Sequence, residues 1–316
     1  KYTLKMHPAK ESKKSPPKPF STSRLLQVAS NVLHTSPKET MSICQKLYQS
    51  GHITYMRTES SQYSPVFLKK AEEYITKKYG GAIGDLDKLE NKDANNPHEA
   101  IRVTNIEAPT IAGDEYKEIS MYKLIWRNTV ESCMTDATYT NIKATISAPM
   151  DLVYEHTIEI PLKLGWRKVA VTEKDFLETQ CGLTAFEMYL KNIESSKKPF
   201  LYNSIESTVV VRNKHQHYTE ANLNHKLEDL GIGRPSTFAT LVETIIDRGY
   251  VKKTDIEGSP IQCKEYKLVG KKLDEISRER IFGAEKSKLV IQPTGILTIE
   301  FLLKTFEQLF SYEYTK

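Results

Sequence analysis

Tyr55 and Arg57 stand two residues apart in the segment 51–60, which reads GHITYMRTES. An unperturbed tyrosine hydroxyl has a pKa of about 10, so as a nucleophile at neutral pH it needs a nearby cation or base. An extended backbone has a period of two, which predicts Ile53, Tyr55 and Arg57 on one side of the chain. The arginine is then placed to stabilise a phenolate or the phosphate under attack. A strand with a core tyrosine and a surface arginine is the alternative.

A second group of charged residues lies in the segment 97–102, PHEAIR. If this segment is helical, His98 and Arg102 are four residues apart and share one face. A histidine and an arginine so arranged can bind a phosphate, with Glu99 orienting one of them. A structural ion pair is the alternative for these residues.

The segment 231–237, GIGRPST, combines backbone freedom with a helix end. Its glycines allow a close approach of the backbone to a ligand. Ser236 and Thr237 stand at a predicted helix N-terminus, whose free N–H groups favour an anion. Arg234 adds a fixed positive charge. The same residues also suit an ordinary capped turn that touches no ligand.

Helices are predicted on both sides of the Tyr55 segment. The first is indicated by apolar residues at helical spacing, namely Leu25, Val28, Ala29, Val32 and Leu33. The second begins at Ser36, which forms a capping box with Glu39, and ends at Gly51. The residues of this second helix that are predicted to face the core are Ile43, Leu47 and Tyr48. Two further helices are predicted from residue 64 toward residue 80 and through residues 119–133.

Residues 141–211 are predicted to be β-rich, because segments rich in Ile, Val, Thr and Tyr recur there. The first residues of the chain can supply one more strand, so the helical block between is an insertion. Beyond the β-rich part helices return, with residues 219–230, a glycine-rich turn, and a helix capped by Ser236 and ended by Gly249. The order helix, turn, helix, glycine, short strand thus occurs twice. This repeat predicts two winged-helix-like units.

Composition and charge exclude several classes of protein. The chain has 316 residues, of which 39% are hydrophobic and 27% charged, and its net charge is +5. This is ordinary for a soluble protein of two or three domains, and no apolar run approaches the roughly 20 residues that span a bilayer. The four cysteines are far apart and form no C-x-x-C pair. Neither a zinc ribbon nor a disulfide framework is therefore indicated.

Taken together and in this order, the three motifs resemble those of the type IA topoisomerases. Tyr55 lies in a stretch similar to the family's active-site sequence I-T-Y-M-R-T-[DE]-S. Residues 98–102 resemble its H-E-A-I-R motif, and residues 231–239 resemble G-I-G-R-P-S-T-[YF]-A. The resemblance extends from about residue 20 to the end of the chain.

Three residues depart from the family pattern without removing a charged or nucleophilic group. They are Val103, where a proline is usual, Glu59, where aspartate is commoner, and Phe238, where tyrosine is commoner. Met56 and the H-E-A-I-R form resemble the bacterial topoisomerase I branch more than topoisomerase III.

The resemblance implies a role for each motif. Tyr55 is the expected nucleophile, and Arg57 and His98 are expected to stabilise the phosphate. The residues expected to hold single-stranded DNA are Arg102, Arg234, Ser236 and Thr237. The implied reaction is cleavage of one strand through a 5'-phosphotyrosine, passage of another strand and religation, which relaxes negative supercoils. It uses no ATP, and the chain contains no G-x-x-x-x-G-K-[ST] loop.

The family's fold implies an α+β multidomain toroid, with helical winged-helix-like domains and a β-rich arch. We expect residues 1–20 and 140–217 to form the arch and residues 21–139 to form the helical domain with the active-site tyrosine. Residues 218–316 are expected to form a helical DNA-binding domain.

No stretch of the chain matches the family's N-terminal Toprim domain, which holds Mg²⁺ through acidic residues. We therefore expect a core fragment that begins inside a larger protein, and no metal ligand in this chain can be named. Such a fragment is expected to bind DNA with little or no relaxation. The complete protein is expected to be a monomer that acts on DNA inside the cell, away from membranes.

Two other functions remain open at this point. The chain can be a binding module, in which two winged-helix-like units hold DNA without breaking it. It can also be a tyrosine recombinase or type IB enzyme, which needs a tyrosine near the C-terminus surrounded by arginines and a histidine. Tyr312 and Tyr314 instead follow an amphipathic helix, and their position is typical of core or edge aromatics.

Overall fold

The computed structural model is an α+β structure and describes residues 2–92, 98–113, 115–198, 201–310 and 314. The helices are α1 (Thr22–Val32), α2 (Pro37–Gln49), α3 (Pro65–Tyr79), α4 (Tyr116–Ser132), α5 (Glu173–Ser196), α6 (Glu220–Asp229), α7 (Phe238–Asp247) and α8 (Pro293–Thr305). The strands are β1 (Leu4–Met6), β2 (Lys10–Lys14), β3 (Ala137–Ser147), β4 (Val153–Lys163), β5 (Ser204–Ser207), β6 (Val251–Ile256), β7 (Ser259–Val269), β8 (Lys272–Phe282) and β9 (Glu285–Ile291). No described helix is both long and apolar enough to cross a bilayer.

Strand β3 is the centre of a four-stranded antiparallel sheet. Strand β4 pairs along nearly the whole of β3, from Thr138↔Lys163 to Ser147↔Val153, so β1 and β2 share the other edge. The predicted pairing of the first residues with the later β segment is confirmed, with two strands instead of one. The helices between β2 and β3 are thus inserted between paired strands.

Helix α5 was not predicted within residues 141–211, which were expected to be β-rich. It begins after Thr172, whose side chain accepts a hydrogen bond from the Asp175 N–H, and it runs for 24 residues. Leu183 and Leu190 of this helix pack on the sheet core that Ile142 and its neighbours form. The segments on both sides of α5 are rich in strand-forming residues, and the β-rich prediction therefore included α5 as well. The helix cap at Thr172 was the local signal against it.

The helices around the Tyr55 segment form as the local signals predict. Ser36 Oγ accepts a hydrogen bond from the Glu39 N–H at 3.2 Å, and Gly51 takes a left-handed φ of 73° just after α2. Helices α1, α2 and α4 enclose a core whose buried members include Leu25, Ala29, Leu47, Met121, Tyr122 and Ile125. A second core joins α3 to α4.

The C-terminal part of the chain is richer in β structure than predicted. Residues 218–316 were expected to be helical, but β6 to β9 lie between α7 and α8. Strand β7 pairs with β8 and β5, and β6 pairs with β9. These strands alternate apolar residues with lysine, glutamate and arginine, and this high charge concealed their period of two.

Candidate active site

The Tyr55 segment is extended without forming a regular strand. Its one ladder contact is an antiparallel bridge between Ile53 and Val103. Ile53 and Met56 point into the core, whereas Tyr55 is 40% exposed and Arg57 is exposed. The prediction that Ile53 shares a side with the other two is therefore wrong, since the core takes the isoleucine. The phenol and the guanidinium both reach the surface.

Backbone hydrogen bonds join the Tyr55 segment to the HEAIR motif. The Thr54 N–H donates to the Arg102 carbonyl at 2.9 Å, and the Arg102 N–H donates to Thr54 Oγ1 at 3.0 Å. Thr54 Oγ1 in turn donates to the Ala100 carbonyl at 2.9 Å. Two motifs that lie more than forty residues apart in the chain are thus adjacent in space.

On the other side of Tyr55, buried Thr22 at the start of α1 holds the chain. Thr22 Oγ1 donates to the Met56 carbonyl at 2.8 Å and accepts from the Thr58 N–H at 2.9 Å. The Thr22 N–H donates to the Thr58 carbonyl at 2.9 Å. Both flanks of Tyr55 are therefore fixed by buried or partly buried polar contacts while its ring stays accessible.

Tyr48 is a further residue of this site that sequence reasoning placed wrongly. It was predicted to face the core, but it is 41% exposed and its ring meets the Tyr55 ring edge-on. The centroids are 5.4 Å apart and the planes are inclined by 65°. Its place in the last turn of α2, three residues before Gly51, was the available signal for this contact.

The PHEAIR segment is not helical over its described residues 98–102, and Pro97 lies outside them. The expected shared helix face of His98 and Arg102 is therefore wrong. Glu99 instead binds Arg102 through two hydrogen bonds, Nε to Oε2 at 2.8 Å and a terminal nitrogen to Oε1 at 3.0 Å. The guanidinium also lies 4.1 Å from the centre of the Phe67 ring. The alternative of a structural ion pair fits these contacts.

The Glu99 carboxyl is held in its charged form. Burial raises its pKa, but hydrogen bonds from the Arg102 side chain and the Ser64 N–H outweigh burial and place the pKa below its ordinary value. His98 is exposed, one residue before this carboxyl. The ion pair thus shapes the loop that presents the histidine.

Val103 occupies the position at which the type IA pattern usually has proline. It is fully buried in the core and forms the bridge to Ile53. Its N–H lies 3.4 Å from Thr129 Oγ1 and donates to it. A proline has no N–H and cannot make this contact. The departure therefore has a local structural reason.

The segment 231–237 forms the turn between α6 and α7. Gly231 and Gly233 have left-handed φ values of 69° and 86°, so the glycines are needed by the turn itself. Thr237, rather than the predicted Ser236, is the N-cap residue of α7. Its Oγ1 accepts from the Arg234 N–H at 2.9 Å, which closes the turn. The side chains of Arg234 and Ser236 stay exposed.

Helices α6 and α7 pack on α1 and α2, the helices that support Tyr55. Ser23 at the start of α1 donates to the Glu228 carboxylate, and Lys38 of α2 pairs with Glu243. These contacts bring the GIGRPST turn into the same assembly as the Tyr55 site.

The described residues offer no ready metal site. Within residues 2–92, 98–113, 115–198, 201–310 and 314, no group of three or more His, Cys, Asp or Glu side chains is arranged to hold an ion. The donor set of this part of the chain does not fit a bound Mg²⁺.

A family model described as DNA topoisomerase matches residues 1–280 of the chain. The prokaryotic-type DNA topoisomerase 1 of Acanthamoeba polyphaga mimivirus is 34% identical, over 97% of this chain and 38% of its own length. The chain belongs to the type IA DNA topoisomerases. The match to the family model includes the Tyr55 segment, the HEAIR motif and the GIGRPST turn.

Other members of the type IA family agree with this assignment. DNA topoisomerase 1 of Aquifex aeolicus (strain VF5) is 30% identical, over 97% of this chain and 50% of its own length. The structure of full-length topoisomerase I from Thermotoga maritima covers 99% of this chain with a TM-score of 0.66 at 23% identity, and this chain covers 47% of it. The fold is therefore shared, and the chain spans half or less of the length of these type IA relatives.

Proposed function

We propose that this chain is the strand-cleaving and DNA-holding part of a type IA topoisomerase, with Tyr55 as its nucleophile. The observation that carries the proposal is an accessible phenol on a segment whose two flanks are fixed by hydrogen bonds, buried at Thr22 and partly buried at Thr54. A reacting group held in this way loses little further freedom when substrate binds.

In the proposed step, Tyr55 Oη attacks the phosphorus of a single-stranded DNA phosphodiester. A bond forms between that oxygen and the phosphorus, and the bond from phosphorus to the 3'-oxygen breaks. The phenol proton ends on the departing oxygen, so the products are a 5'-phosphotyrosine and a free 3'-hydroxyl. Another strand passes through the gap, and the 3'-hydroxyl then reverses the attack. One phosphodiester replaces another throughout, so no ATP is required.

The charged residues of the site have different proposed tasks. Arg57 has an exposed side chain that makes no ion pair among the described residues, so it is available to a phosphate next to Tyr55. His98 is the second group proposed to stabilise that phosphate. Arg102 is engaged by Glu99 and the Val103 carbonyl, so its contribution to DNA binding is mainly to position the loop.

The GIGRPST turn is proposed to hold the DNA backbone. Arg234 supplies a charge and Ser236 a hydroxyl at the surface, while Thr237 closes the turn and starts α7. Phosphate contacts of this kind position DNA without reading its sequence. The β sheet around β3 is proposed to be the arch that lets the strand gate open.

The complete protein is proposed to relax negatively supercoiled DNA inside the cell as a monomer. Mg²⁺ is proposed to bind a Toprim domain in the part of the protein that this chain does not cover. The domain division into residues 1–20 with 140–217, 21–139 and 218–316 belongs to the same proposal.

The test is covalent transfer of labelled single-stranded DNA to this chain. The chain is mixed with magnesium and with the part of a longer relative, such as the mimivirus enzyme, that lies outside the matched region. We expect a labelled adduct at Tyr55 that Tyr55→Phe abolishes while DNA affinity is unchanged. Without the added part we expect DNA binding and no relaxation. Tyr116→Phe, at an 81% exposed tyrosine of α4, is the matched control.

Two outcomes would contradict the proposal. DNA binding with no adduct under any condition would make the chain a non-catalytic binding module. An adduct that survives Tyr55→Phe and disappears on Tyr314→Phe would favour the recombinase type of chemistry. Tyr312, the other tyrosine of that alternative, lies outside the described residues.

A further inference from the structure

The segment that leads from the arch to the second helical unit lies along a long β hairpin. We call residues 201–217, between α5 and α6, the connector, and strands β7 and β8 the hairpin. The unit of α6, α7, β6 and β9, which carries the GIGRPST turn, is called the GIGRPST unit. The hairpin strands pair over their whole length, from Ser259↔Phe282 to Val269↔Lys272, which corresponds to about 35 Å at the usual rise of a strand.

The tip of the hairpin touches the arch. Tyr202 Oη donates a hydrogen bond to the Gly270 carbonyl in the turn between β7 and β8. The Tyr202 ring also meets the Tyr2 ring edge-on, with centroids 5.6 Å apart. Tyr2 lies just before β1, which pairs with the central strand β3. After Tyr202 the connector forms β5, which pairs with β7 as the third strand of the hairpin sheet.

Beyond β5, a buried glutamate of the hairpin holds the connector. Glu265 of β7 is 5% exposed, and its Oε1 accepts a hydrogen bond from the Val209 N–H at 3.3 Å. Arg280 of β8 binds both oxygens of this carboxylate, with Nη2 2.9 Å from Oε2. The two-pronged contact fixes the direction in which the carboxylate points. Arg280 therefore holds Glu265 in place for the connector.

A second buried glutamate holds the connector at the base of the hairpin. Glu285, the first residue of β9, is 8% exposed, and its Oε2 accepts from the His217 N–H at 3.1 Å. Its Oε1 lies 3.0 Å from Nζ of Lys214, another residue of the connector. The His217 ring and Lys288 also face this carboxylate. The same arrangement thus occurs twice, a buried carboxylate that accepts a connector N–H and is paired with a cation.

Release of the connector would leave both carboxylates short of partners. A buried carboxylate that loses a hydrogen-bond donor keeps the cost of its desolvation without compensation. Hydrogen bonds from Arg280 and Lys214 place the pKa of Glu265 and of Glu285, respectively, below the ordinary value, so both are charged at neutral pH. A charged acceptor binds an N–H more strongly than a neutral one. The bound position of the connector is therefore favoured.

We propose that Glu265 and Glu285 clamp the connector to the hairpin and so hold the arch and the GIGRPST unit as one body. One end of the connector is anchored in the arch through α5, since the Met6 N–H donates to the Glu194 carboxylate of that helix at 2.8 Å. The other end leads directly into α6. An unclamped linker would let the two parts move independently. This inference rests on the proposed function for the role of the sheet as an arch, and the clamp limits how freely that arch moves when the strand gate opens.

The first test measures the spread of distances between the two parts without DNA, so its result does not depend on whether Tyr55 reacts. One spin label is attached to Cys181, the exposed cysteine of α5, and one to a cysteine introduced by Glu257→Cys at an exposed position after β6. The other three cysteines are buried. We expect a narrow distance distribution with the clamp intact. The double variant Glu265→Ala/Glu285→Ala is expected to broaden it about twofold or more, because the connector then behaves as a flexible linker.

Amide hydrogen exchange at single-residue resolution tests the clamp directly. Glu265→Ala is expected to speed exchange at Val209, and Glu285→Ala at His217, each roughly 10- to 100-fold, since the amide loses a charged acceptor. Glu279→Ala, at an exposed glutamate of β8, is the matched control and should leave both amides unchanged. If an alanine variant loses β structure by circular dichroism, the glutamine variant at the same position keeps the shape of the side chain and should give a smaller acceleration at the same amide.

Two results overturn the proposal. Unchanged exchange at Val209 and His217 in the variants would show that the two glutamates do not hold the connector. Faster exchange with an unchanged distance distribution would show that pairing of β5 with β7 is enough to hold the two parts together. Absence of a DNA adduct at Tyr55 in the separate transfer experiment contradicts the proposed function and leaves the clamp in place.

Discussion

The chain contains two units with the same order of elements, and only one of them carries the tyrosine that we propose as the nucleophile. In the first, α1 and α2 are followed by Gly51, and in the second, α6 and α7 are followed by Gly249. Both glycines are left-handed, with φ values of 73° and 70°. Antiparallel pairing begins two residues later in each unit, at Ile53 and at Val251. The local rules that build the two units are therefore the same.

The two units differ in what surrounds this shared backbone. The first is enclosed by a continuous core of fully buried residues from α1, α2 and α4. The second buries little, mainly Phe238 and Val242 of α7. Four residues past the glycine stands Tyr55 in the first unit and Lys253 in the second, where the lysine pairs with Glu220. We infer that long-range packing, rather than the local motif, makes the first unit a platform for chemistry.

The largest expected effect compares the same substitution in both units. Leu25→Ala removes a fully buried side chain of α1, whereas Leu241→Ala truncates an exposed side chain of α7. We expect the first to lower the free energy of unfolding by about 3 kcal/mol and the second by less than about 1 kcal/mol. Denaturant unfolding followed by far-ultraviolet circular dichroism measures both, since the two tryptophans, Trp126 and Trp166, lie outside the second unit. Equal losses would remove the distinction between the units.

Short sequence signals correctly predicted where several helices begin and end. The capping box at Ser36 and the left-handed Gly51 and Gly80 mark helix ends, and the structure has them where predicted. Helix α5 and strands β7 to β9 were missed, because their apolar residues are mixed with charges, whereas β6 was predicted as a short strand after Gly249. Their conformation is selected by partners elsewhere in the chain, such as the sheet under Leu183, which a local pattern does not reveal.

The sequence identified the residues of the candidate site but not the contacts between them. The motifs named Tyr55, Arg57 and the HEAIR segment, and the structure brings the Tyr55 segment beside Arg102. The contacts of Thr22, Thr54 and Tyr48 depend on pairings over long sequence distances or on the exact end of α2. No periodicity in the sequence encodes such pairings.

The Glu99–Arg102 pair makes the stability of the loop beside the Tyr55 segment depend on pH. The pKa of Glu99 is lower when folded, so its charged form stabilises the fold above about pH 4.3, the unfolded value, and this contribution is lost as pH falls further. We expect Glu99→Gln to cost about 2 kcal/mol at neutral pH. The difference from wild type should shrink below pH 4 in unfolding titrations.

Glu257→Gln, in the exposed turn after β6, is the matched control in the second unit and should be nearly neutral at every pH. A constant difference between wild type and Glu99→Gln down to pH 2 would show that the carboxyl charge does not stabilise the loop. The Arg102 contacts would then be incidental to the position of His98.

The smallest expected effect concerns Tyr48, which in the first unit stands three residues before the glycine. The equivalent residue of the second unit is Ile246. An edge-on aromatic contact is worth about 0.5 to 1.5 kcal/mol, so Tyr48→Ala is expected to slow adduct formation at Tyr55 roughly 2- to 10-fold. Affinity for single-stranded DNA should stay unchanged, because the contact orients the nucleophile. The measurement is a time course of labelled adduct with the metal-binding part supplied.

Tyr48→Phe keeps the ring and its edge-on contact, so it should restore the wild-type rate if orientation is what Tyr48 provides. Ile246→Ala should leave the rate unchanged, since its unit has Lys253 at the position that Tyr55 occupies in the first. A loss in Tyr48→Phe as large as in Tyr48→Ala would assign the effect to the Tyr48 hydroxyl and not to ring packing. Equal DNA affinity with an equal adduct rate in Tyr48→Ala would mean that the hydrogen bonds of Thr22 and Thr54 suffice to hold Tyr55.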